Sequence, residues 1–117
     1  MTVKSYKELI VWQKSIDLVS LIYNISKGFP EDEKFGLTSQ IRRASVSVPS
    51  NIAEGWGRLS RKNYIHFLRI SRGSLFEVET QIIIAKNLKY FDDSKEIDNL
   101  IVEISKMLNA MMSKLNE

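Results

Sequence analysis

The sequence predicts an all-α fold, an antiparallel up-down-up-down four-helix bundle. Three observations carry that expectation. Four segments space their apolar residues at alternating three- and four-residue intervals, which gathers them on one face of an α-helix. Short stretches marked by glycine, proline or clustered aspartate separate the segments, and short connections make neighbouring helices antiparallel. No stretch of useful length alternates apolar and polar residues as a half-buried strand would, and no internal repeat is evident. The 117 residues are read as a single domain, 1–117, and 44% hydrophobic content is enough for one core.

The first helix is expected from about Tyr6 to Ser26. Leu9, Trp12, Ile16, Val19 and Tyr23 share one face, and Val11, Leu18, Ile22 and Ile25 form a second stripe beside it. Together they exceed what a single partner helix covers. Either the helix is deeply buried, or one stripe faces the core and the other a neighbouring subunit. A small bundle has little interior in which to hide both. Lys27-Gly28-Phe29-Pro30 stops the helix with a glycine cap signal and a proline just beyond.

Glu31, Asp32 and Glu33 suit the partial positive charge at the start of the second helix, expected from about Asp32 or Phe35 to Glu54. Its inward stripe is Leu37, Ile41, Ala44, Val48 and Ile52. Pro49 falls inside this pattern, where a missing N–H and a crowding ring predict a kink or break. Ser45, Ser47, Ser50 and Asn51 surround it and are candidates to satisfy the freed carbonyls or to bond a neighbouring helix. Gly55 and Gly57, flanking Trp56, end the element.

Ser60 is the expected N-cap of the longest helix, reaching to about Tyr90, with Tyr64, Leu68, Ser71, Leu75, Val78, Ile82 and Ala85 as its seam. Gly73 lies mid-helix at a cost of about 1 kcal/mol relative to alanine, and the expected compensation is close approach of another helix backbone. Asp92-Asp93-Ser94 makes the last turn, with Asp93 and Glu96 at capping-box spacing. The final helix carries Ile97, Ile101, Ile104, Leu108, Met111 and Leu115.

Charge is distributed unevenly. The chain has a formal net charge of +3. Between Ser39 and Leu75, seven cations (Arg42, Arg43, Arg58, Arg61, Lys62, Arg69 and Arg72) face one acid, Glu54, so this segment holds +6 and the remainder −3. Such a basic region points to an anionic partner, against the plainer reading of solvated helix faces. Lys62, His66, Arg69 and Arg72 fall on one side of the third helix, with Arg58 and Arg61 at its entrance. A stripe of this kind neutralises phosphates in a salt-dependent manner with little sequence preference, so the seven cations are the candidate nucleic-acid-binding residues. Trp56 offers a stacking surface for a base or, more simply, a packing element.

Other chemistry finds little support. The chain has no cysteine and one histidine, so no metal site or cofactor is expected. No Ser-His-Asp constellation, P-loop or dinucleotide fingerprint is present, no catalytic residue is assigned, and an enzyme is not expected. Glu54 stands four residues before Arg58; Glu77 is placed to meet Asn51, a serine or an arginine of an adjacent helix. Ser50, Asn51, Glu54, Ser74 and Glu77 are therefore read as a polar motif with structural or inter-helix roles. Nothing approaches a membrane span, and Glu8, Lys14 and Asp17 interrupt the N-terminal apolar residues too early for a secretory signal, so the expected compartment is the cytoplasm.

At SQIRRASVSVPSNIAEGWGR, followed by NYIHFLRISRGSLFEVET, the chain resembles the bacterial four-helix-bundle proteins encoded by intervening sequences of large-subunit ribosomal RNA genes. LIVWQKSIDLV and FPEDEKFGLTSQIRRA match the same pattern, and the likeness extends to about Tyr90. Arg42, Arg43, Pro49, Ser50, Asn51, Glu54, Gly55, Arg58, Gly73, Ser74 and Glu77 carry it. The resemblance implies a ring-shaped homopentamer. It also implies kinship with the accessory proteins of diversity-generating retroelements, similar pentameric bundles whose basic surface engages nucleic acid and a reverse transcriptase. The net charge here is milder than in the most basic of those proteins. Two functions are thus expected in competition: a non-enzymatic oligomer that binds RNA or DNA phosphates, or an assembly protein that recruits another protein.

Overall fold

The computed structural model describes residues 3–117. It contains four α-helices: α1 (Ile10–Ser26), α2 (Leu37–Trp56), α3 (Arg61–Asn87) and α4 (Lys95–Leu115). Two 3-10 turns, Tyr6–Glu8 and Glu31–Glu33, precede α1 and α2, and no strand occurs among the described residues. α1 packs on α2 and α4, and α3 on the same two, while the backbones of the diagonal pairs stay apart. The helices therefore close a four-sided bundle of 45 × 25 × 22 Å, with the α2–α3 contact the most extensive. Leu18, Ile22, Ile41, Val48, Ile52, Leu68, Leu75, Val78, Ile104 and Leu108 are fully removed from solvent, each contributing about 1.5–3 kcal/mol of burial.

Which stripe of α1 faces inward decides the rest of the molecule. Val11, Leu18 and Ile22 enter the core, joined by Ser15, whose hydroxyl donates to the Val11 carbonyl at 2.7 Å. Ile16 and Tyr23 remain open to solvent at 38% and 40%. The helix begins at Ile10 rather than Tyr6, because Ser5 caps a separate 3-10 turn and Leu9 is extended. That turn sets Tyr6 edge-on to Trp12 at 5.4 Å and to Trp56 at 6.2 Å, so Trp56 is a half-buried packing residue.

α2 also starts later than expected, at Leu37. Glu33, within the acidic 3-10 turn, accepts the Leu37 N–H at 3.1 Å and supplies the missing cap. The Tyr90 hydroxyl donates to the same carboxylate at 2.7 Å. These two donors, the Leu37 N–H first, hold Glu33 below the ordinary carboxylate pKa, and the hydrogen bond to Glu33 raises that of Tyr90.

Pro49 does not break α2, which runs as continuous helix to Trp56. Hydroxyls bond the backbone around it: Ser45 donates to the Arg42 carbonyl at 2.8 Å, and Ser71, from α3, donates to the Val48 carbonyl at 2.8 Å. Ser74 donates to the Ser47 hydroxyl at 2.8 Å, a second polar stitch between α2 and α3. Small side chains along this seam permit the close approach. Gly55 lies against α3, where a Cβ would stand 2.9 Å from the Tyr64 ring, 3.0 Å from Phe67 Cβ and 3.2 Å from the Tyr64 carbonyl.

Gly73, expected to mark such a contact, does not. Beyond the adjoining residues and backbone of its own helix, nothing among the described residues lies within 4 Å of the space a Cβ would occupy there. Ser60 caps α3 as expected, accepting from the Asn63 N–H at 3.1 Å. The helix ends at Asn87, short of Tyr90, in a Schellman turn: Tyr90 N–H bonds the Ala85 carbonyl, Lys89 N–H bonds that of Lys86, and Lys89 adopts φ 63°. At the start of α4 the cap is Ser94, which accepts the Ile97 N–H at 3.2 Å. The expected Asp93–Glu96 box is absent because Asp93 instead accepts the Ser94 N–H and pairs with Lys86 at 2.8 Å. α4 buries Met112, with Met111 and Leu115 half-covered.

Candidate nucleic-acid interface

The seven candidate cations do not form one surface. Helix geometry separates neighbours in sequence by about 100° around the axis, and the packing of α1, α2 and α4 sends them to four places. Arg42 is anchored between α1 and α2. Its Nε donates to the Ser26 hydroxyl at 2.8 Å, and its guanidinium lies 4.7 Å over the Tyr23 ring. Arg43, the next residue, faces the opposite side, in a groove of about 490 Å³ between α2 and α3 with Glu77, Ser74 and Gln81. Arg58 meets Glu54 at 3.5 Å and covers the Phe67 ring at 4.7 Å.

The remaining four gather. Arg61, Lys62 and Arg69 line a shallow groove of about 320 Å³ with Leu115, Asn116 and Glu117 from the end of α4. Arg72, one turn along α3, donates to Asn109 Oδ1 at 2.9 Å. Among the described residues the ion pairs are Lys14–Glu103, Arg58–Glu54, Lys86–Asp93 and Lys86–Asp98, so none of these four takes part in one. Arg61 reaches a main-chain oxygen of Glu117, the last residue of the sequence, at 3.5 Å, and Glu117 lines the same groove; Arg72 is held by a neutral amide. Arg72 is thus oriented by a neutral partner, and Lys62 and Arg69 join no ion pair among the described residues. Lys114 of α4 shares an adjoining groove with Arg61 and Tyr64. Sequence reasoning missed Lys114 and Asn109, because α4 announces itself only by its apolar period and nothing in the sequence sets its register against α3.

His66 does not complete this flank. It is exposed and sits edge-on to Phe67 at 5.3 Å. The polar motif divides as well. Asn51 donates to the Ser47 carbonyl and hydroxyl at 2.8 and 2.9 Å, a bond within α2 rather than between helices. Ser74 joins it through Ser47. Ser50 lies on the other side of α2, in an apolar groove with Trp12, Ile16, Val19 and Val46. Glu54 pairs with Arg58 as its spacing predicts, while Glu77 stands in the α2–α3 groove with Arg43 and Ser74. No group of three His, Asp or Glu side chains among the described residues is arranged to hold a metal ion, and no described helix is long and apolar enough to cross a membrane.

Comparison with known proteins places this arrangement. The family model for the 23S rRNA-intervening sequence protein matches residues 7–110. A crystal structure at 1.70 Å resolution of a protein of unknown function from the S23 ribosomal protein family of Bacteroides thetaiotaomicron VPI-5482 is similar, with a TM-score of 0.80 and 27% sequence identity. The alignment covers 88% of this chain and 98% of that one. No curated protein matches the chain.

Proposed function

The chain belongs to the 23S rRNA-intervening sequence protein family, and from that premise we propose that it is a non-enzymatic, homo-oligomeric, cytoplasmic bundle that binds RNA or DNA phosphates. The α3–α4 flank is the binding surface. The observation that carries the reading is the cluster of cations there: Lys62, Arg69 and Arg72, which join no ion pair among the described residues, with Arg61 and Lys114 beside them. Cations without a carboxylate partner keep their charge for a ligand, and contacts to phosphates carry no base information, so binding has little sequence specificity. The family's association with ribosomal RNA makes structured RNA the first ligand to test.

An anisotropy titration against structured RNA across salt concentrations tests it. Four phosphate contacts give a log–log salt slope of about −3. Arg69→Glu combined with Arg72→Glu should reduce the slope by about 2 and weaken binding at least about tenfold at low salt. Absence of salt-sensitive binding ends the proposal.

A second reading is an assembly or adaptor protein that recruits another protein, such as a reverse transcriptase, with no direct nucleic-acid role. It draws on the open apolar groove of about 280 Å³ between α1 and α2, where Trp12, Ile16, Val19 and Val46 lie. The same titration separates the two, since an adaptor shows no salt-dependent affinity for RNA.

A further inference from the structure

The cation cluster borders an apolar groove that phosphate contacts leave unused. This groove, of about 530 Å³, lies between the start of α3 and the end of α4 and is lined by Arg61, Tyr64, Met111, Lys114, Leu115 and Glu117. Tyr64, Met111 and Leu115 are half-buried, while Arg61, Lys114 and Glu117 are exposed. The floor is therefore apolar and the rim charged. The Tyr64 ring is packed against α2, so closely that a Cβ at Gly55 would stand 2.9 Å from it. That contact holds the ring in one place. Arg61, Leu115 and Glu117 also line the groove of about 320 Å³ that contains Lys62 and Arg69. The apolar groove and the cation groove thus adjoin along a shared edge.

We propose that the apolar groove takes a nucleobase, so that the ligand of this flank is an unpaired segment of nucleic acid rather than a continuous duplex. This rests on the phosphate-binding reading and names the form of nucleic acid that fits it. The backbone of the strand lies along Lys62, Arg69 and Arg72, and a base turned out of the strand packs on Tyr64, Met111 and Leu115. A base is apolar on its faces and polar at its edges, which matches an apolar floor with a charged rim. Glu117 fits the same division of labour. A carboxylate repels a phosphate, but it accepts from the amino or imino N–H of a base edge. In a duplex each base is stacked and paired, and bringing one into a groove breaks those contacts. Every base has a face to stack, so the groove adds affinity without sequence preference.

Anisotropy titrations with an unstructured single strand, and with the same strand annealed to its complement, test the assignment. They are run in RNA and in DNA, and the chemistry that binds more tightly names the source. Charge alone favours the duplex, whose phosphates are more densely spaced, so a preference for the strand reports the groove. The strand should bind at least about fivefold more tightly than the duplex, as one stacked base supplies. Met111→Ser combined with Leu115→Ser should erase that preference, with duplex binding, the salt slope of the strand and the helical circular dichroism retained. A strand carrying a photoreactive thiouridine should crosslink to Tyr64, Met111 or Leu115 of the wild type, a readout that stands even where the double variant fails to fold. A duplex that binds as tightly as the strand overturns the base site and leaves phosphate binding standing. Crosslinks confined to residues outside the groove overturn it too, as does a folded double variant that weakens strand and duplex alike. Absence of binding to either form overturns the phosphate-binding reading and the base site together.

Discussion

The two flanks of α3 are finished in different ways. Toward α4, the flank ends in a cluster of cations, of which Arg72 is oriented by a neutral amide and Arg61 by a main-chain oxygen of Glu117. Toward α2, the flank is sealed at its N-terminal end and open in its middle. Gly55 seals it: Tyr64 and Phe67 lie so close over this glycine that no side chain fits. Gly73 marks the open part, with empty space where its Cβ would be. Two glycines of one chain thus do opposite things. The space at one is filled by its own protomer, and the space at the other is left open. A missing side chain tells where a close approach is possible, and only the neighbours tell whether it happens.

Alanine at each position tests that contrast most strongly. Gly55→Ala should destabilise the fold by about 1–3 kcal/mol, because the Tyr64 carbonyl and Phe67 Cβ must shift. Gly73→Ala should stabilise the protomer by about 1 kcal/mol through helix propensity alone. Urea denaturation at several protein concentrations separates this gain from any loss of assembly. Equal destabilisation at both sites would erase the distinction between a closed and an open stretch of the flank.

A smaller effect lies at the far end of the same helix. Lys89 holds the left-handed position of the Schellman turn, where glycine is the unstrained choice. Lys89→Gly should stabilise by up to about 1 kcal/mol, read from the urea midpoint, whichever flank α3 uses for partners.

The smallest effect concerns the turn that starts α2. Glu33 has its pKa lowered by the Leu37 N–H and then by the Tyr90 hydroxyl. A carboxylate held below its unfolded value stabilises the fold above that value, and the contribution is lost as pH falls through the lowered folded value. Tyr90→Phe keeps the ring against Phe29, 5.6 Å away, and removes one of the two donors. The variant should be slightly less stable than the wild type at neutral pH, and the gap should close on acidification as Glu33 protonates. A gap independent of pH would assign the effect to packing.

Much of the bundle is legible without coordinates. The inward seams of α2, α3 and α4 follow from spacing, as do the Ser60 cap and the Glu54–Arg58 pair, because each depends on residues three or four apart along one helix. Where local rules compete, they mislead. Either of two stripes on α1 was fit for the core; Val11, Leu18 and Ile22 won it, and Ile16 and Tyr23 were left outside. Pro49 reads as a breaker, yet tertiary packing keeps the helix intact around it. The capping acid at α4 was diverted by Lys86, an ion pair that forms only once α3 and α4 are side by side.

The sequence alone therefore determined that four helices form, where the polypeptide turns between them, and which residues each helix can bury. Those properties repeat with the helical period and need no knowledge of neighbours. The tertiary structure decided where each charge ends up. Arg42 and Arg43 are adjacent, yet one is locked over Tyr23 and the other opens onto a groove beside Glu77. The physical reason is rotation: a helix is free to turn about its own axis until its partners' side chains interlock, and that last angle separates the arginines available to a ligand from those already in use.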